Sequence, residues 1–322
     1  GGHHDRAVDT HVVGLLATYD HMTAKGSLHS TQIVVIFVLT TAAFAASFPA
    51  IRAAETSFDP ASIVWLRALF ASIALALLAL GFRARLRIPW PDVLRAAVFG
   101  QLGISAFQWL LNSGVAESSI GTASTIVNTA PLISMVLAAV ILRERIPLLR
   151  WVGVIVCFIG VYILGSSEAS TTTKGAVYLI AAAVSLGVYS VAIKTLLIRY
   201  HPLTVTFHGT WPGIILFSWA APAALNEATS ATVNAWVGLA TLVLVVTCIG
   251  YVLLARLLQE LPISRVVFYY YLVPPVAIVY AIVLFGEIPS AREVLGVAVV
   301  IGGVVIALST PATTSTNAAP SG

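Results

Sequence analysis

The sequence predicts an all-α integral membrane protein of ten transmembrane helices, arranged as two inverted five-helix repeats. Three observations carry this prediction. Of the 322 residues 59% are hydrophobic and only 9% charged, with a mean hydropathy of +0.96, whereas soluble domains carry about 25% charged residues. The apolar residues fall in long runs joined by short connections. The chain also matches itself in register at a shift of 143 residues, the separation of Pro131 from Pro274.

At roughly 20 residues per crossing, the first five runs are 32–54, 60–81, 93–113, 119–142 and 148–165. The second five are 175–198, 203–225, 235–258, 263–285 and 290–309. Transmembrane strands alternate lipid-facing and lumen-facing residues, and these continuously apolar runs do not. The seventh run contains Trp211-Pro212-Gly213, which predicts a break or kink there. The domain plan is a leader over 1–31, a first repeat over 32–165, a linker over 166–174 and a second repeat over 175–309. The Thr-, Ser-, Ala- and Pro-rich residues 310–322 read as a disordered tail. Residues 1–21 begin Gly1-Gly2-His3-His4 and read as an appended segment or alternative leader, with Met22 a plausible start. Val12 to Ala17 is too short an apolar stretch for a signal-peptide core.

Charge sets the orientation. Arg83, Arg85, Arg87 and Arg95 flank the second connection, Arg143, Arg145 and Arg150 the fourth, Lys194 and Arg199 the sixth, and Arg256 and Arg265 the eighth. The odd connections hold only Arg52, Lys174 and Arg292. By the positive-inside rule the even connections and both termini are cytoplasmic, in the cell (inner) membrane. The basic residues therefore report orientation, and no nucleic-acid partner is expected. Cys157 and Cys248 both lie in apolar runs and are expected as free thiols.

The repeat is visible residue by residue. Glu117 falls on Glu260, Pro131 on Pro274, Glu144 on Glu287, Gly153 on Gly296 and Gly160 on Gly303. A shift one residue shorter brings Pro60 onto Pro202 and Arg52 onto Lys194. Because five spans per repeat is odd, the second repeat must insert upside down, about a pseudo-two-fold axis in the membrane plane. The glycines are seven apart, nearly on one helical face, where they allow close helix approach.

The segment TAPLISMVLAAVILRERIPLLRWVGVIVCFIGVYILG and its echo LVPPVAIVYAIVLFGEIPSAREVLGVAVVIGGVVIALS carry a resemblance. They resemble the paired EamA-type repeats of the drug/metabolite transporter superfamily, over residues 32–309, and most of all the YddG-type amino-acid and metabolite exporters. Two positions depart from the family: Phe44 stands where many members have tryptophan, and Leu186 at the matching place in the sixth span. The resemblance implies a basket of helices around a cavity, with spans five and ten packed together away from it.

All thirteen acidic residues fall in loops, tails or the last turn of a span. A carboxylate proton relay places Asp or Glu inside a span, so such a relay is disfavoured, as is an intramembrane hydrolase built on paired acids. The histidines have no metal spacing, and neither a metal nor a cofactor is expected.

The third span carries Gln101, Ser105, Gln108 and Asn112 at intervals of four, three and four, on one helical face. Amides in hydrocarbon need partners or water, so this stripe faces either a wet cavity or another helix. Trp109 reads equally as cavity wall or as core. The fourth span adds Thr125 and Asn128 ahead of Pro131, a candidate hinge because proline removes a helix hydrogen bond. In the second half Gln108 corresponds to Tyr251 and Asn128 to Tyr271; Tyr269, Tyr270 and Tyr271 point about 100° apart, so only one or two can line a cavity. Pro274 and Pro275 are the matching hinge candidates, and Tyr189 adds a further aromatic wall.

Arg67 lies seven residues into the second span, roughly 10 Å deep at 1.5 Å per residue. At a helix centre arginine costs about 2.5–3.5 kcal/mol on insertion scales. Snorkelling or structural pairing is its first reading. His208, within a span, is a candidate for proton coupling or a packing histidine, and Lys194 reads as an interfacial charge.

These features predict a secondary transporter rather than an enzyme: an exporter of small metabolites, neutral and aromatic amino acids foremost, working by alternating access. The alternatives are a nucleotide-sugar or sugar-phosphate exchanger, which needs more cavity cations than Arg67, His208 and Lys194, and a membrane-embedded enzyme. The partners expected are a small-molecule substrate and the lipid bilayer.

Overall fold

A computed structural model describes residues 30–115, 117–118, 120–165, 171–285 and 290–309. Residues 1–29 of the leader, most of the linker, Glu287 and the tail lie outside the described residues. Regular structure among the described residues is helical, apart from one isolated bridge between Ser118 and Thr171.

In the first half, α1 (Ser30–Ala45) and α2 (Ser47–Ala54) form the first apolar run and α3 (Pro60–Gly81) the second. Pro60 opens α3, where its missing N–H has no intrahelical acceptor to lose. The third run is divided into α4 (Trp90–Gly103) and α5 (Ser105–Val115), and the fourth into α6 (Ile120–Val127) and α7 (Ala130–Ile141). The fifth is α8 (Leu148–Gly165). The second half begins with α9 (Thr173–Leu197). Next come α10 (Pro202–Thr210), α11 (Pro212–Leu216), a 3-10 turn (Ser218–Ala220) and α12 (Ala221–Ala228). A continuous run then joins α13 (Val233–Thr241), a π-helical stretch (Leu242–Tyr251) and α14 (Val252–Glu260). The chain closes with α15 (Ile263–Val266), α16 (Phe268–Phe285) and α17 (Ala291–Leu308).

Six helical stretches among the described residues are long and apolar enough to cross a membrane: Thr31–Ala54, Pro60–Gly81, Thr173–Leu197, Val233–Glu260, Ile263–Tyr280 and Ala291–Leu308. Thr125–Ile141 and Leu148–Leu164 are shorter apolar helices. The outer faces are apolar too, with Leu77, Leu80, Val140, Ile155 and Val305 exposed, as a lipid-facing surface requires.

The interruptions have local causes. Ile104 leaves the helical region at φ −114°, ψ −80°, ending α4. At the end of α6 the Thr129 hydroxyl donates to the Ile126 carbonyl at 2.7 Å, and Pro131 then sits in the first turn of α7. Trp211-Pro212 separates α10 from α11, the break its composition predicts. Pro274 and Pro275, by contrast, lie inside the continuous α16; the break on that side falls earlier, at Val267.

The most extensive helix pair is α8 with α17. Gly153 lies against Gly303, and Gly160 against Gly296. As the number rises on one helix it falls on the other, so the two run antiparallel. Between the two glycine contacts the Cys157 thiol reaches the Val300 carbonyl at 3.5 Å. Both cysteines are buried free thiols.

A second junction ties the halves together at the start of α15. The Glu144 carboxylate accepts from the Ile263 and Ser264 backbone N–H groups at 2.9 and 3.2 Å, satisfying donors that a helix start leaves open. Lys194, expected at the membrane interface, is instead buried: its ammonium donates to the Leu261 carbonyl at 2.6 Å and stands 3.6 Å from Glu144. Arg150 donates to the Ser264 hydroxyl at 3.0 Å.

Candidate substrate site

A small cavity opens where α3, the α4/α5 junction, the end of α10 and the π-helical stretch converge. Its polar lining is Arg67, Ser105, Gln108, Thr210 and Thr247, with Ile104 among its apolar walls. The space open to a water's centre is about 10 Å³, room for roughly one water.

Arg67 dominates this space. Only 5% of it is exposed, so of the snorkelling or structural pairing expected of it the structure shows the pairing. Its Nε donates to the Thr247 hydroxyl at 2.7 Å, while Nη2 is buried without a hydrogen-bond partner among the described residues. Thr247 in turn donates to the Leu242 carbonyl, five residues back, at 2.9 Å. The π-helical winding thus sets the hydroxyl that receives Arg67, in keeping with the occurrence of π-bulges at functional sites. In the 143-residue register Thr247 corresponds to Ile104, where the third run breaks. The two equivalent spans are therefore irregular at matching places, and both line the cavity.

The polar stripe of the third span divides. Ser105 and Gln108 line the cavity. Gln101 lies one turn away and donates to the Gly209 carbonyl at 2.8 Å, where α4 approaches α10 so closely that a Cβ on Gly100 would overlap the Gly209 backbone. Gln101 is thus an interhelical tie. Asn112 is half-buried at the far end of α5, outside the cavity lining. Trp109 packs edge-on against Tyr178 and beside Phe217. Thr125 and Asn128 are half-buried on the fourth run and also lie outside that lining.

The tyrosines form a packed cluster beside the cavity. Tyr251 is buried and donates to the Gly103 carbonyl at 2.6 Å, bracing the end of α4. Phe44 and Tyr189 stack edge-on against Tyr251 at 5.0 and 6.3 Å between ring centres. The Tyr189 ring covers Gly103, leaving no space for a Cβ. Tyr270 contacts Tyr269 at 3.9 Å and lies 3.4 Å from the Ser190 hydroxyl. Tyr271 points elsewhere, toward Phe268.

His208 has both ring nitrogens engaged. The Trp211 indole N–H donates to Nδ1 at 3.2 Å, and Nε2 lies 2.7 Å from the Leu86 carbonyl. Indole can only donate, so Nδ1 must be the acceptor and Nε2 carries the proton. The imidazole is held neutral as a tie between α10 and the connection before α4. Among the described residues no cluster of His, Cys, Asp or Glu could hold a metal ion.

The model of the EamA-like transporter family matches this chain twice, over residues 31–166 and 173–309. The chain belongs to that family. The two matches cover both halves of the sequence repeat. A relative described as a "Probable terminal-alkyne amino-acid exporter", from Streptantibioticus cattleyicolor, is 36% identical over 280 residues, 86% of this chain and 93% of its own. The transporter YdfC of Bacillus subtilis is 28% identical over 278 residues, 85% of this chain and 90% of its own. A solved crystal structure superposes with a TM-score of 0.71 over 87% of this chain and 97% of that one; at 17% identity the likeness concerns the fold alone. The EamA-type member of the drug/metabolite transporter superfamily expected from the paired repeats is thus the family found. Family and relatives are membrane transporters, which points to a multi-pass membrane protein acting on a small molecule.

Two elements of this site are not legible in the sequence. Thr247 and Thr210 are single hydroxyls in apolar runs, with no periodicity to mark them. Arg67 was legible as a charge in a span, but its partner lies 180 residues away in the other half.

Proposed function

We propose that the protein is a secondary transporter and not an enzyme, exporting neutral and aromatic amino acids across the cell membrane by alternating access. One observation carries the reading: a small carboxylate-free cavity at which both halves meet, with Arg67 from one half hydrogen-bonded to Thr247 of the other. The name of the 36% identical exporter supports the substrate class.

Ten spans in two inverted repeats, with both termini cytoplasmic, is the topology we assign. The third, fourth and seventh crossings are broken ones, α4–α5, α6–α7 and α10–α12, too short in each piece to span alone. The register of α8 and α17 supports the inversion. Under the 143-residue shift the Gly153–Gly303 contact becomes Gly296–Gly160, and Cys157 falls on Val300, its own partner. A pair that exchanges with itself while running antiparallel has its two-fold axis across the helices. Ser105, Gln108, Tyr189, Tyr251 and Tyr270 would form the wall against the solute, and Pro131, Pro274 and Pro275 would let their helices bend.

Uptake of a labelled amino-acid panel into proteoliposomes tests this. Saturable uptake, competed by neutral and aromatic amino acids, is expected. Failure of every amino acid with folded protein overturns the substrate class, and exchange of a sugar phosphate would replace it.

A further inference from the structure

We infer that Arg67 is the anchor for the substrate's carboxylate. The inference rests on the amino-acid reading above and names the group that reads the substrate's charged end.

Of the guanidinium nitrogens, Nε is engaged and Nη2 is not. Nε is spent on the Thr247 hydroxyl at 2.7 Å, which fixes the plane of the fork. Nη2 remains buried without a partner among the described residues. Buried donors in native proteins are nearly always satisfied, so an orphaned Nη2 on a side chain that lines a cavity implies a ligand or water that completes it. No carboxylate lines this cavity; the other polar groups are the hydroxyls of Ser105, Thr210 and Thr247 and the Gln108 amide. A cation with only neutral companions is matched by an anion arriving from outside. A carboxylate is the planar, two-oxygen acceptor that a guanidinium fork recognises best.

The neutral groups suit the other end of a zwitterion. Thr210 donates its proton to the Thr206 carbonyl at 2.8 Å, leaving lone pairs free to accept. Ser105 and Gln108, on adjacent turns of α5, line the same space and carry further oxygens able to accept. An ammonium can donate to such oxygens without a buried acid.

The cavity holds one water's worth of space, far less than an amino acid. Three of its walls nevertheless depart from regular α-helix: the α4/α5 break at Ile104, the α10/α11 break at Trp211, and the π-helical stretch around Thr247. Arg67 itself sits on the one regular wall, α3. The anchor is therefore fixed, and the pieces around it are the ones able to open for the substrate's side chain.

The test compares acids with their amides in proteoliposomes. For the wild type, a transported amino acid should be competed by free amino acids and not by the corresponding amino-acid amides. Arg67→Gln, folded by size-exclusion and melting criteria, should raise the KM for the acid by about tenfold or more, the loss of one charge-assisted pair. The same variant should erase the preference for acid over amide. Arg67→Lys keeps the charge but not the fork, and should retain the preference with weaker affinity. If the wild type transports amino acids yet is competed equally by the amides, the anchor is overturned whatever the variants do, and the transport reading stands. An Arg67→Gln variant that keeps the acid preference overturns it equally. No amino-acid transport by folded wild type overturns the substrate reading and, with it, this inference.

Discussion

Gly153 and Gly303 face each other so closely that a Cβ on either would stand 2.8 Å from the other's carbonyl oxygen. Gly160 and Gly296 repeat the relationship seven residues along, at 2.9 and 3.0 Å. Small residues let two backbones approach where no hydrophobic force draws them together, since the surrounding lipid is equally apolar. The α8–α17 pair is thus held by contact density, and it joins the two halves away from the cavity.

Gly153→Ala and Gly160→Ala should therefore destabilise by about 1–3 kcal/mol each through overpacking. Gly302 lies on the same α17 with nothing within 4 Å of a built Cβ. Its replacement by alanine should be neutral, or stabilise by about 0.5–1 kcal/mol, because glycine is the poorer helix former. Thermal unfolding in detergent distinguishes these outcomes. Equal effects at all three positions would mean that the close packing of α8 on α17 contributes nothing.

Tyr251→Phe removes the hydroxyl that braces the Gly103 carbonyl at the end of α4 and keeps the ring packed against Phe44 and Tyr189. A loss of about 1–3 kcal/mol is expected, the penalty for leaving a buried acceptor unsatisfied. Gly103→Ala should be worse, because the Tyr189 ring occupies the space of the new methyl. Melting in detergent ranks the two; a Gly103→Ala protein as stable as Tyr251→Phe would count against the packing.

What the sequence made legible was whatever depends on local composition. Hydropathy marked the helices, Trp211-Pro212 marked a break, and the paired glycines marked the α8–α17 face. The π-helical stretch left no trace, because Leu242 to Tyr251 reads as an unremarkable apolar run; its winding depends on what packs against it. The polar stripe illustrates the same limit within one helix. Gln101 and Gln108 look alike in sequence, yet one ties α4 to Gly209 and the other lines the cavity. The kink between them at Ile104 turns the two halves of the stripe apart. Lys194 meets the same limit: its burial is created by Leu261 and Glu144, both distant in sequence.

Lys194 and Glu144 join the halves through a buried contact, and removing one partner strands the other. Lys194→Met should destabilise by about 3 kcal/mol or more, as for broken buried pairs. Glu144→Gln should cost less, since an amide oxygen still accepts from one of the Ile263 and Ser264 N–H groups. The double variant should lose less than the sum of the two single losses, by about 0.5–3 kcal/mol. Strict additivity in a double-mutant cycle would show that the two groups do not act as a pair.

His208 offers the sharpest question about energy coupling. A histidine that carries a coupling proton must accept it on a free nitrogen and release it again. Here Nδ1 receives the Trp211 N–H and Nε2 faces the Leu86 carbonyl. Protonating Nδ1 would set two donors against each other, so charging the ring requires Trp211 to leave. His208→Gln should consequently lower stability by about 1–3 kcal/mol through the lost ties. It should leave the response of transport to an imposed pH gradient unchanged, whatever that response is in the wild type. Uptake into proteoliposomes with and without the gradient, for wild type and variant side by side, reads this directly. If the wild type responds to the gradient and His208→Gln does not, the imidazole is the coupling group, and Trp211 must swing away during the cycle.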